Sequence, residues 1–216
     1  MDPLLLFSYI SILTIVFPIA MGLVQLKQLQ STLKLILLVS VISLLSDAVS
    51  FILIRYHLKT WLVLNIFYVI QVAIFFVALG HKRSIPRLRL FFYAWLAFAI
   101  INFFLIETSA GFNTNTGYAG GILMIASALN FLYQLINEVP KEKLQTLPSF
   151  WLSFAILVYY GGTLFLFLFN NYLLTHLSNE SHQTIWVVLH VTLNITKNAF
   201  LFTSLWVNYR SKTSPL

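Results

Sequence analysis

The sequence predicts an all-α, polytopic membrane protein, a single bundle of seven transmembrane helices. Of its 216 residues, 59% are hydrophobic and only 9% are charged, whereas a soluble domain carries roughly a quarter charged residues. The apolar residues form seven long runs, and a helix needs roughly 20 such residues to cross a hydrocarbon core. The basic residues lie mostly in the short connections between these runs, as membrane orientation requires. They are therefore not read as a nucleic-acid footprint.

The spans are predicted, in chain order, at 4–26, 33–54, 60–80, 89–106, 117–137, 149–173 and 184–208. The first opens with MDPLLLF, which has an acid where a signal peptide has basic residues, and it is too long for a signal h-region. We therefore expect a true span, with Pro18 as the only proline well inside any span. The second holds Asp47, the only carboxylate deep in a span.

The remaining spans each carry a few polar or small residues in an apolar background. The third holds Asn65, Tyr68 and Gln71, and the fourth holds Asn102. The fifth and sixth contain glycines whose spacing is typical of close helix packing, Gly117 with Gly121 and the pair Gly161–Gly162. The seventh carries His190, Asn194, Lys197 and Asn198 on one helical face.

No segment is left over for a soluble domain, so residues 1–216 are predicted to form one transmembrane domain. The chain has no cysteine, which excludes disulfides and thiolate chemistry. No metal-ligand spacing, nucleophile elbow or phosphate-binding loop is present, so we predict no metal site and no assigned catalytic residue.

Counting Lys and Arg predicts the orientation. If the N-terminus lies outside, ten basic residues fall in cytoplasmic connections and two, Arg55 and Lys59, fall in outer ones. This bias follows the positive-inside rule and places the C-terminus in the cytoplasm. The basic connection His81–Arg89 is then a candidate surface for a signalling partner, or an anchor that touches anionic lipid.

Polar residues inside the membrane are costly, so their depths indicate where a site should lie. A rise of ~1.5 Å per residue places the polar set in the middle and outer half of the bundle. We predict an outward-facing cavity for a small ligand, lined by Asp47, Asn65, Tyr68, Asn102, His190, Asn194 and Lys197. The leading interpretation is a receptor-like sensor, not an enzyme, that signals through a partner.

Lys197 lies close to the middle of the last span, where a charged group needs a partner or water. Asp47 lies at a similar depth, so we predict a buried ion pair between Asp47 and Lys197. Two further functions stay open on the same residues. A lipid-modifying enzyme would use Asp47 and His190 as acid and base, and a small transporter would use the Asp47–Lys197 pair as a proton-coupled gate.

The segment LNITKNAFLF in the last span is similar in architecture to the lysine-bearing helix of microbial rhodopsins. This resemblance implies retinal as an alternative cofactor, bound to Lys197 as a Schiff base. The sequence departs from the rhodopsin pattern at Leu193, where an aspartate is usual, and the third span supplies no carboxylate counterion. No cofactor is expected in the leading interpretation.

The segments LNFLYQLI (129–136) and LPSFWLSFAILVYYGGTLFLF (147–167) resemble small, stand-alone bacterial seven-helix membrane proteins. The resemblance is best over the last three spans and rests on apolar and aromatic residues. It implies a heptahelical unit of the bacterial cytoplasmic membrane that accompanies sensor kinases, and it implies no particular reaction.

Overall fold

The computed structural model of the chain describes residues 3–80, 85–107, 111, 113–138 and 141–213. This part of the chain folds into helices and contains no strand, which confirms the all-α prediction. The α-helices, in chain order, are α1 (Pro3–Thr14), α2 (Val16–Val24), α3 (Ser31–Arg55), α4 (Trp61–Ala78), α5 (Pro86–Ile101), α6 (Thr114–Glu138), α7 (Pro148–His176) and α8 (Asn179–Thr213).

Six helices are long and apolar enough to cross a membrane. They are α3, α4, α6, α7, α8 and the segment Pro86–Ile106, in which α5 continues into a π-helical turn, Asn102–Ile106. Their bounds agree with the predicted spans to within a few residues for α3 and α4, whereas α8 extends beyond its predicted span at both ends. The apolar length of each helix therefore decides where it forms.

The first predicted span is the exception, because it forms two helices that meet at Ile15. Pro18 has no N–H to donate to the carbonyl of Thr14, and its ring crowds that carbonyl, so the helix cannot continue unchanged. At the break, the Ile15 N–H bonds the carbonyl of Ile12, three residues back, at 3.3 Å. The apolar stretch Tyr9–Val24 is shorter than the six longer spans.

The last turn of α3 uses a left-handed residue that is not glycine. His57 has φ 56°. Its N–H bonds the Ile54 carbonyl at 3.0 Å, and the Leu58 N–H bonds the Leu53 carbonyl at 2.9 Å. This is a Schellman ending, which satisfies two carbonyls that the helix leaves free. Gly80, with φ 85°, has the same role after α4.

The helices pack mainly against their neighbours in the chain, and α8 closes the bundle by packing against α1, α2 and α7. The bundle has two ends: the N-terminal face, where α1, α4, α6 and α8 begin, and the opposite C-terminal face. The helices α4 and α5 are the exception to close neighbour packing, since α5 packs mainly on α6. Near the C-terminal face Phe76 of α4 stacks on Phe92 of α5, with ring centroids 4.2 Å apart. Towards the N-terminal face these two helices separate.

Glycines in α6 and α7 serve helix packing. The helix α7 runs unbroken across Gly161 and Gly162. A Cβ at Gly162 would collide with the side chain of Leu193 in α8, so this glycine admits α8 at close range. A Cβ at Gly121 would meet the Leu164 side chain at 3.6 Å, an ordinary contact distance, so a small side chain would fit there.

Part of the predicted partner surface, residues 81–84 of the His81–Arg89 connection, lies outside the described residues. Within the part that is described, Arg87 is exposed, whereas Arg89 is partly buried and its Nε has no hydrogen-bond partner.

Candidate functional site

A groove of about 360 Å³ opens between α4 and α5 in the half of the bundle nearer the N-terminal face. It runs from Leu62 to Ile70 along α4, a length of ~12 Å at the α-helical rise. Most of its wall is apolar, and its polar residues are Asn65, Tyr68, Asn113 and Thr116. The groove exists because α5 packs on α6 and leaves the N-terminal half of α4 uncovered.

The polar end of the groove is held by a reciprocal pair of asparagines. The backbone N–H of Asn113 donates to Asn65 Oδ1 at 2.9 Å. Asn65 Nδ2 donates to the Gly111 carbonyl at 2.9 Å and to Asn113 Oδ1 at 3.2 Å. Asn65 and Asn113 are both buried. These bonds tie α4 to the connection that precedes α6.

Further from the N-terminal face, Tyr68 of the groove and Trp95, which does not line it, join α4 and α5 to the first turns of α6. The Tyr68 hydroxyl donates to the Gly117 carbonyl at 2.9 Å, and Trp95 Nε1 donates to the Thr116 carbonyl at 3.2 Å. The aromatic rings can approach α6 because Gly120 has no side chain. A Cβ there would lie 2.9 Å from the Tyr68 hydroxyl oxygen and 3.0 Å from Trp95 Nε1.

Asn102 lies behind the groove at the start of the π-helical turn. Its Nδ2 donates to Glu107 Oε2 at 2.6 Å and to Thr116 Oγ1 at 2.9 Å. The Glu107 N–H bonds the Asn102 carbonyl, five residues back, which defines the π-helical turn. The Glu107 carboxylate also accepts from the Asn115 N–H, so it caps the N-terminus of α6.

Lys197 occupies a different part of the bundle, where it is only 2% exposed. Its Nζ lies 4.4 Å from the centroid of the Tyr159 ring, a cation–π contact. Lys197 and Asp47 interact electrostatically. However, no hydrogen bond or ion pair within 4.0 Å joins these two described side chains. The direct ion pair predicted between them is therefore not formed, because the ammonium lies over an aromatic face instead.

The region beside Lys197 is a tight polar gap, not a cavity. It is lined by residues of α3, α4 and α8 with Ile15 from the break between α1 and α2, and it leaves no room for a water molecule. The buried oxygens Gln71 Oε1 and Asn198 Oδ1 have no hydrogen-bond partner in the part of the chain that the structure describes.

Two asparagines of α8 that share a helical face with Lys197 point to the N-terminal helix. Asn194 Nδ2 donates to Ser11 Oγ at 2.9 Å, and Asn198 Nδ2 donates to Thr14 Oγ1 at 3.0 Å. Both acceptors precede the break at Ile15. The polar face of α8 therefore holds the end of α1 in place, and these amide groups are not donors or acceptors for Lys197.

Two predicted residues, Asp47 and His190, line neither the groove nor the gap beside Lys197. Asp47 is partly buried in α3. His190 is exposed on the side of α8, and its ring contacts Tyr159 at a centroid distance of 6.3 Å. Of the seven residues predicted to share one cavity, the structure places Asn65 and Tyr68 in the groove and Asn102 behind it. The others, Asp47, His190, Asn194 and Lys197, belong to the α1–α3–α7–α8 side.

A row of aromatic rings joins the two regions. Tyr68 contacts Tyr160 of α7 with centroids 6.2 Å apart, and Tyr160 contacts Tyr159 at 5.2 Å. Tyr159 in turn faces the ammonium of Lys197. The groove and the buried lysine are therefore linked through side chains in direct contact.

Sequence reasoning missed three residues of the groove region, Glu107, Asn113 and Thr116. They lie at a helix end or in the first turn of a helix, where polar residues are common and carry little information. The available signal was the carboxylate of Glu107 in the connection before α6, since an acidic group near a helix N-terminus is favourable.

Within the described residues, no three His, Asp or Glu side chains lie together as a possible metal site. Comparisons of the chain with protein-family models, with curated proteins and with solved structures find no match.

Proposed function

We propose that this chain is a seven-helix, receptor-like membrane protein that binds a hydrophobic small molecule in the groove between α4 and α5. The observation that carries the proposal is the groove itself, an apolar cleft of about 360 Å³ with a few polar groups at one end. Ligand sites are typically ~300–1,000 Å³, mostly apolar, with a small number of placed polar groups. In this proposal α1 and α2 together form the first of seven spans.

The ligand reaches the groove from the hydrocarbon phase. Rim residues on both helices are exposed at the side of the bundle, among them Ile66 at 49%, Ile100 at 55% and Phe104 at 69%. These side chains would lie against acyl chains in a bilayer. A molecule that partitions into the membrane can therefore enter sideways, without crossing the polar connections at the N-terminal face.

Contact between the groove and the centre of the bundle supports a receptor-like role. The floor residue Tyr68 holds α6 through the Gly117 carbonyl and also contacts Tyr160 of α7. A ligand that moves Tyr68 would disturb α6 and α7 together. The change could then reach Lys197 and α8 through Tyr159.

We propose that the N-terminal face lies outside the cytoplasm, so the groove opens in the outer leaflet. The Lys and Arg count favours this orientation. Signal output would then occur at the C-terminal face, with the His81–Arg89 connection as the surface for a partner. Arg87 and Arg89 supply its described positive charges.

The enzyme and transporter alternatives have less support. No hydrogen bond or ion pair joins the described side chains of Asp47 and His190, so an acid–base pair is not assembled. A proton-coupled gate would need water beside Lys197, and the gap there leaves no room for it.

Photolabelling tests the proposed binding site. The purified protein in nanodiscs is irradiated with a decyl chain that carries a terminal diazirine, and the labelled positions are mapped by mass spectrometry. We expect labelling to concentrate on 62–70 and 99–104, the groove walls. Ile66→Trp places a large ring at the rim of the groove and should reduce that labelling several-fold.

Ile122→Trp is the matched control, because Ile122 is an exposed apolar residue of α6 that does not line the groove. It should leave labelling of the groove unchanged. Labelling spread evenly over the lipid-facing surface, with equal results for both tryptophan variants, would contradict the proposal.

A further inference from the structure

We infer that the groove selects a neutral lipid-phase molecule that presents a hydrogen-bond acceptor, such as an ester carbonyl, to the side-chain amide of Asn113. This inference rests on the proposed binding function and specifies the chemical class of the ligand. It follows from the direction of the hydrogen bonds at the polar end of the groove and from the charges around it.

The orientation of both amides is set by one backbone group. The Asn113 N–H is a donor only, so the Asn65 atom that it contacts is the oxygen Oδ1. Asn65 Nδ2 is therefore the atom that faces the Gly111 carbonyl and the Asn113 side chain. Since Nδ2 donates, the Asn113 atom that receives it is Oδ1. Asn113 Nδ2 is therefore the one side-chain polar atom of Asn65 and Asn113 that takes part in none of these hydrogen bonds.

Asn113 Nδ2 has no acceptor among the described residues, although Asn113 is only 4% exposed. Asn113 Nδ2 itself is not completely enclosed by protein atoms, because it is absent from the set of fully buried polar atoms without a partner. Asn113 lines the groove. A donor that is placed at the end of an apolar groove and lacks a protein acceptor favours a ligand with an acceptor there, because an amide N–H without a hydrogen-bond partner is unfavourable away from water.

The surrounding charges argue against an anionic head group. Among the described residues, no Lys or Arg lines the groove. The N-terminus of α6 would otherwise attract an anion, but the Glu107 carboxylate already accepts from its Asn115 N–H. Asn102 Nδ2 donates to both Glu107 Oε2 and Thr116 Oγ1. The Glu107 carboxylate therefore places a negative charge just behind the groove. A carboxylate or phosphate would be repelled, whereas a neutral carbonyl is accepted.

The depth of the polar end fits the same class. Asn65 lies one helical turn from the start of α4, and Asn113 lies just before α6, so both are close to the N-terminal face. The apolar walls extend from there towards the middle of the bundle. A chain with its carbonyl near the membrane interface and its hydrocarbon tail deeper would match this order of polar and apolar surface.

Competition against the diazirine probe tests the inference with four molecules that share one chain length: methyl decanoate, decanoate, decylammonium and decane. We expect methyl decanoate to displace the probe at a concentration roughly three- to tenfold lower than decane, the gain of one hydrogen bond. Decanoate and decylammonium should compete no better than decane. If all four compete equally, the groove binds apolar chains without this selectivity, and the inference fails while the proposed function stands.

Asn113→Asp is the decisive variant. It keeps the Oδ1 that accepts from Asn65, and it replaces the free donor with an acceptor. The preference for methyl decanoate over decane should be lost, with decylammonium now competing best. Asn115→Asp adds the same charge at an exposed position on the same face and should keep the ester preference. An ester preference that survives Asn113→Asp, or a wild-type preference for decanoate or decylammonium, would overturn the inference. If the probe does not label the groove at all, the proposed function itself fails.

Discussion

At the scale of single residues, Lys197 is tolerated because its ammonium group makes a cation–π contact inside the bundle. Its side chain is almost wholly enclosed, and its ammonium lies over the Tyr159 ring. A charge at the centre of a bilayer costs on the order of 3 kcal/mol on insertion scales. A desolvated cation–π contact returns ~2 kcal/mol. The two contributions nearly cancel, so the lysine does not need the direct carboxylate partner that sequence reasoning assigned to it.

Lys197→Met tests this balance, because methionine keeps the unbranched stem and removes the charge. We expect the free energy of unfolding in detergent to stay within ~1 kcal/mol of wild type, or to rise, since the lost desolvation cost is about as large as the lost contact. Thermal unfolding of the purified protein measures the change.

Two double-mutant cycles then identify the partner of the ammonium. The coupling of Lys197→Met with Tyr159→Leu should exceed its coupling with Asp47→Asn, since only the tyrosine is in contact. The reverse order, with the Asp47 and Lys197 double variant recovering the stability that each single variant loses, would indicate a direct ion pair.

At the scale of the helices, the groove depends on how closely α6 approaches the aromatic side chains of α4 and α5. Gly120→Ala would place a Cβ 2.9 Å from the Tyr68 hydroxyl oxygen and 3.0 Å from Trp95 Nε1. Neither ring can withdraw freely, because each donates a hydrogen bond to a carbonyl of α6. We expect a loss of ~1–3 kcal/mol of stability, typical of overpacking, with weaker probe labelling in the groove.

Gly161→Ala is the matched control for this prediction. It makes the same change in a neighbouring helix, where a new Cβ meets nothing within 4 Å. It should gain up to ~1 kcal/mol from helix propensity and leave the labelling unchanged. Equal effects of both substitutions would mean that helix propensity, not the contact with Tyr68 and Trp95, governs the response at Gly120.

At the scale of the whole molecule, hydropathy predicted the helices well because apolar length alone decides whether a segment can span. It could not predict the division of the first span at Ile15 in detail, although Pro18 signalled a disturbance. It also missed the π-helical turn after Ile101, since that turn depends on one added residue between Asn102 and Glu107 and not on composition.

The candidate site was predicted less well for a geometric reason. Counting residues along a helix gives the depth of a side chain but not the helix that it faces. Asn65 and Asn194 were assigned to one cavity because both lie in the middle and outer half of the bundle. In the structure Asn65 bonds the connection before α6, whereas Asn194 bonds Ser11 of α1. The groove lies between α4 and α5, whereas Lys197 lies among α3, α4, α7 and α8.

Orientation is also a property of the whole chain, and it decides which leaflet would supply the proposed ligand. With the N-terminal face outside, ten Lys and Arg residues fall on the cytoplasmic side and two on the outer side. Because the chain contains no cysteine, single cysteines report accessibility without background. Tyr56 is 73% exposed after α3, and Gln28 is exposed before it, so the two positions sample opposite faces.

In intact cells an impermeant maleimide should label Tyr56→Cys, whereas Gln28→Cys should react only after permeabilisation. Gln28→Cys is expected to fold, because the contact from Lys212 is made to the Gln28 backbone carbonyl and not to its side chain. The opposite labelling pattern would show that the N-terminal face lies in the cytoplasm. The groove would then open in the cytoplasmic leaflet, and its ligand would have to come from inside the cell.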